Sequence, residues 1–123
     1  MTKKEIGQLG EQYAEKFLLE ENLSIITKNY YTRVGELDIV AFDKAENQYV
    51  IVEVKTRTSR RFGLPQEGIS LKKYQKIIMA ALHFLAKTPK HHSTSWRIDC
   101  IAVELTGTYS LKKITHFKSI YGR

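Results

Sequence analysis

Apolar positions in the first twenty residues recur at helical spacing. Ile6, Leu9, Tyr13 and Phe17 form a stripe, joined by Ala14 and Leu18. Thr2 and Glu5 stand at capping-box separation, which predicts a helix from Thr2 to about Glu21. The period then shortens. Ser24 to Thr32, Glu36 to Phe42 and Gln48 to Lys55 read as strands, rich in β-branched and aromatic residues. Val34-Gly35 and residues 43–47 separate them, and links this short predict an antiparallel meander. Thr56 to Gly68 is a polar, basic loop. Ser70 has the character of an N-cap, and a helix is expected from there to about Lys87. Its expected buried side is Leu71, Tyr74, Ile78, Ala81, Leu82 and Leu85. Thr88 to Ser95 reads as a second polar loop. Trp96 to Leu105 and Ser110 to Tyr121 read as two more strands, parted by Thr106-Gly107-Thr108.

The order is α-β-β-β-α-β-β, an α/β chain with a mixed five-stranded sheet flanked by helices. The helix between strands three and four can act as a crossover, which would make the sheet mixed. With 123 residues, a single domain over 1–123 is expected. Apolar and charged fractions of 42% and 27% are those of a soluble globular protein. No apolar run approaches the roughly 20 residues of a membrane helix, and no signal-peptide core follows Met-Thr-Lys-Lys-Glu. One cysteine, Cys100, excludes an internal disulfide and a multi-cysteine zinc site, so a reducing cytoplasm is the expected compartment. The net charge of +7 suits a polyanionic partner such as nucleic acid, and equally a basic protein without one.

Candidate chemistry begins in the third strand. Alternation puts Glu53 and Lys55 on one face and Val50, Val52 and Val54 on the other. Charges in so apolar a run are costly unless compensated. In the second strand, Glu36 and Asp38 share a face with Val40 and Phe42, and Leu37, Ile39 and Ala41 take the other. If the two strands pair, Asp38 lies near Glu53, because neighbouring strands are about 4.8 Å apart. Two carboxylates then converge on one hard cation. Magnesium suits one or two carboxylates with several waters, and the Val54 carbonyl adds an oxygen. Lys55 would orient a water and stabilise phosphate charge. Glu11 stacks with Gly7, Ala14 and Leu18 at the edge of the buried stripe, which aims its carboxylate inward. Against this stands a plain reading of Glu-x-Lys as a solvated surface pair.

Asp…Glu-x-Lys on paired strands resembles the PD-(D/E)xK nuclease superfamily, which includes restriction endonucleases and archaeal Holliday-junction resolvases. The chain is most similar to the small bacterial YraN family. The segments that carry the resemblance are Gly7-Gln8-Leu9-Gly10-Glu11, Asn29-Tyr30, Gly35-Glu36-Leu37-Asp38-Ile39-Val40 and Val52-Glu53-Val54-Lys55-Thr56-Arg57. Arg61-Phe62-Gly63, Lys72-Lys73 with Gln75, and Arg97-Ile98-Asp99 follow. Leu37 stands where a proline often precedes the acid. The resemblance implies a restriction-endonuclease-like core. It also implies an active-site set of Glu11, Asp38, Glu53 and Lys55, with Mg²⁺, or Mn²⁺ in its place, as cofactor. A helix residue after the lysine strand touches the site in several such nucleases, which makes Gln75 a candidate.

Arg57, Arg60, Arg61, Lys72, Lys73 and Lys76 surround these acids in sequence and are candidate phosphate contacts. Asp99 is expected to form a structural ion pair with Arg97. His91 and His92 lie in a loop without partner ligands. The expected function is a metal-dependent endonuclease on DNA, including branched or structured DNA. The alternative is a non-catalytic nucleic-acid-binding module that retains the fold. A duplex or junction offers two symmetric strands, which suits a homodimer.

Overall fold

The computed structural model describes residues 1–58, 69–88 and 95–121. Helix α1 (Lys3–Glu20) is followed by β1 (Leu23–Tyr31), β2 (Glu36–Asp43) and β3 (Gln48–Arg57). Helix α2 (Leu71–Ala86), β4 (Ser95–Leu105) and β5 (Leu111–Tyr121) complete the order, which is the one expected. The strands lie side by side as β1-β2-β3-β4-β5. Only β3 and β4 are parallel, joined through α2; the other pairs are antiparallel. This is a mixed five-stranded sheet with the strand order of a restriction-endonuclease-like core.

Thr2 starts α1 as the capping box predicts: its hydroxyl accepts from the Glu5 N–H, and the Glu5 carboxylate accepts from the Thr2 N–H. Ser70 caps α2, its hydroxyl accepting from the Lys73 N–H at 3.1 Å. On one face of the sheet, Ala14 and Leu18 of α1 pack with Ile39, Ala41, Val50, Val52, Ile101 and Val103. On the other, Ile77, Ala80, Ala81, Phe84 and Leu85 of α2 pack with Leu37, Val40, Ile51 and Ile98. Each full burial of a Leu, Ile or Val here contributes about 1.5–3 kcal/mol.

Two expected faces differ from those observed. Leu71 and Leu82 are 74% and 52% exposed, and Ile77, Ala80 and Phe84 are buried instead. Helix α2 is apolar on more than one side, so its period alone does not fix which side meets the sheet. In β2, Leu37 joins the α2 side while Ile39 and Ala41 stay on the α1 side. The β2–β3 ladder ends at Ile39–Val52. There the Asp38 side chain takes over, accepting the Val54 N–H at 2.9 Å. The strands part at that point, and strict alternation ends with them.

Both edges of the sheet are irregular. Strand β1 has a register shift between Ile25 and Thr27 and a left-handed Asn29. Strand β5 has register shifts against β4 and a left-handed Ser119.

Candidate active site

The parting of β2 and β3 opens a cleft of about 570 Å³ against the first turns of α1. Glu11, Asp38, Glu53, Val54 and Arg57 are among its lining residues. The structure thus brings together all three carboxylates singled out in the sequence. Gly10 sets how closely α1 approaches, because a Cβ there would lie 2.8 Å from the Thr56 Cβ and Cγ2. That contact carries Glu11 to the cleft, where its Oε1 accepts from Asn29 Nδ2 at 3.1 Å. The left-handed backbone at Asn29 belongs to the bend of β1 that presents this amide.

Asp38 and Glu53 are 9% and 4% exposed on adjacent strands. Burial and then the Glu53 charge push the Asp38 carboxyl up to about 7, against the Val54 N–H that favours its ionised form. Burial also raises Glu53, opposed by the Lys73 and Lys55 charges and by a hydrogen bond from Asp38. Glu11 is raised too, by burial first and by the Asp38 and Glu36 charges, while Asn29 lowers it. All three carboxyl groups are raised, and burial is the largest cause in each.

Lys55 is half-buried and projects from β3 on the same side as Glu53. Arg57 lines the cleft with its Nε enclosed and without a hydrogen-bond partner among the described residues. Gln75 is exposed on α2. The residue of that helix that reaches the carboxylates is Lys73, whose Nζ lies 3.5 Å from Glu53 Oε1. Sequence reasoning placed Lys73 among the phosphate contacts and missed this pairing. The signal was present: Lys73 precedes Ile77 by four residues, so it shares the side of α2 that packs inward. Lys72 and Lys76 are exposed. Arg60, Arg61, His91 and His92 lie outside the described residues.

A second buried polar cluster sits toward the other end of the sheet. Arg97 Nε donates to both Asp99 oxygens at 3.0 and 3.2 Å, and its Nη1 donates to Asp43 and Gln48. Asp99 is fully buried and is also bound by His116 Nε2 at 2.7 Å and by the Ser119 N–H. Burial would raise Asp99, but His116, Arg97 and Ser119 together hold it below the usual carboxylate range. This is the expected Arg97–Asp99 ion pair, and it ties β4 to β5 and to the β2–β3 turn.

Among the described residues no three His, Cys, Asp or Glu side chains form a ready metal cage. Nor is any helix among them long and apolar enough to cross a membrane.

A family model described as "Uncharacterised protein family UPF0102" matches residues 10–103. The chain belongs to the UPF0102 family. A UPF0102 protein of Clostridioides difficile is 38% identical over 121 residues, covering 98% of this chain and 100% of the relative. One from Caldanaerobacter subterraneus is 37% identical over 122 residues, covering 98% of each. Another, from Caldicellulosiruptor bescii, is 35% identical over 121 residues, covering 98% of this chain and all of the relative. The YraN resemblance of the motifs is thereby borne out. The UPF0102 match spans Glu11, Asp38, Glu53, Lys55 and Lys73 and ends at Val103, before β5.

Proposed function

We propose that this UPF0102 protein is a Mg²⁺-dependent endonuclease that hydrolyses phosphodiester bonds in DNA. The observation that carries the reading is the buried pair Asp38 and Glu53, two interacting carboxyl groups on parting strands beside Lys55. A fold keeps two such groups together at a cost, and a hard cation is the partner that relieves it. The donor set fits that cation: one or two carboxylates with open positions for water is the usual protein environment of Mg²⁺. Asp38 and Glu53 would hold it, with Glu11 assisting through water. When bound, it supplies Lewis acidity toward water and a phosphoryl oxygen.

The chain's own residues do the rest. Lys55 orients the attacking water and offsets charge growing on the phosphate. Arg57, on the cleft wall, donates to a backbone phosphate from its guanidinium group. Lys72 and Lys76, exposed on α2, add phosphate contacts that position DNA without reading its bases.

The test is incubation with linear, flapped and four-way DNA in Mg²⁺ or Mn²⁺. Cleavage by the wild type, lost in Asp38→Ala and Lys55→Ala, is the expected result. Equal cleavage by the variants, or none by the wild type, refutes the catalytic reading. Salt-sensitive DNA binding indifferent to Mg²⁺ would then mark a binding module.

A further inference from the structure

Lys73 stands apart from the other lysines of α2. It leads the buried stripe through Ile77, Ala80 and Ala81, so its stem runs toward β3. Its Nζ lies 3.5 Å from Glu53 Oε1. The ion pair is unsymmetrical: the Glu53 side chain is 5% exposed and that of Lys73 is 41% exposed. Glu53 is fixed in an inner strand of the sheet. Lys73 is a long, flexible stem rooted in the first turn of a helix, and it can swing away without moving backbone. Its ammonium sits on a carboxylate oxygen that a divalent cation would also take, and two cations on one oxygen repel each other.

We infer that Lys73 is a positioning residue, the built-in counter-cation of Glu53, which a divalent cation displaces toward the substrate backbone. Lys73 therefore sets how tightly the site accepts that ion. This rests on the reading of Asp38 and Glu53 as a cation site.

Mn²⁺ binding to the full chain without DNA tests the inference, by calorimetry and by loss of the free-ion electron paramagnetic resonance signal. Lys73→Met is expected to bind Mn²⁺ about two- to fivefold more tightly than the wild type, the range of a half-exposed ion pair. Lys73→Arg restores the weaker binding. Lys87→Met makes the same change in net charge roughly 20 Å along the helix and leaves affinity unchanged. Equal or weaker binding by Lys73→Met, while Asp38→Ala still abolishes binding, overturns the role of Lys73 alone. Tightening by Lys87→Met to the same degree overturns it as well, as a general charge effect. A wild type that binds no Mn²⁺ overturns the cation site and this inference together.

Discussion

Replacing Asp38 by Asn separates what the site costs from what it does. In the unfolded chain the carboxyl titrates near 3.8; in the fold, burial and Glu53 raise it to about 7. Between those values the native state binds more protons than the unfolded one, so stability falls as pH rises through the window. Roughly three pH units at about 1.4 kcal/mol each set an upper bound of about 4 kcal/mol. Water entering the cleft around the ionised pair reduces this, and a loss of about 2 kcal/mol is expected for the wild type. Glu53 and Glu11 are raised as well and act with the same sign. Asp99 is held low, so its contribution is present above the unfolded value and is lost only in stronger acid. The assay is urea denaturation in EDTA at pH 5 and pH 8. The wild type should be less stable at pH 8, and Asp38→Asn should flatten most of that slope while losing cleavage. Added Mg²⁺ at ten times its dissociation constant should return about 1.4 kcal/mol to the wild type at pH 8 and little to the variant. A wild type equally stable at both pH values, or a variant with an undiminished slope, refutes the reasoning.

Other expectations follow from single contacts. Gly10→Ala forces a methyl against Thr56 and should destabilise by about 1–3 kcal/mol, whereas Gly7→Ala meets open space and should stabilise by up to about 1 kcal/mol. Thermal melts of the pair would expose an error if both shifted the same way. Arg97→Ala leaves buried Asp99 with only His116 and the Ser119 N–H and should cost about 2–4 kcal/mol in urea denaturation; a loss under about 1 kcal/mol would show the network to be idle. Arg57→Ala should lower the salt dependence of DNA binding by nearly one unit of logarithmic slope, read by fluorescence anisotropy with Ca²⁺ in place of Mg²⁺. An unchanged slope would remove Arg57 from the interface.

Strands and caps were legible because their signals are local. Gln48 to Lys55 is β-branched enough to declare itself, and Thr2 with Glu5 needs only three residues of separation. The approach of Asp38 to Glu53 was legible because a short turn leaves β2 and β3 few registers. The rotation of α2 was not. Its sequence carries apolar side chains on several sides, and only contact with Leu37, Val40 and Ile51 selects Ile77 and Phe84 over Leu71 and Leu82. That one angular error hid the pairing of Lys73 with Glu53. The break at Leu37 was equally hidden, since it arises where a side chain replaces a backbone acceptor, and the residue pattern does not show that exchange.

The bends at Asn29 and Ser119 have a consequence for assembly. A sheet grows by adding a flat strand to an open edge, and here neither edge is flat. Lys28 lies beside one bend, and Lys118 beside the other, with Lys112 and Lys113 further along β5. An incoming strand would meet kinked backbone and charged lysine side chains at once. The two margins therefore act as stops against edge-to-edge aggregation.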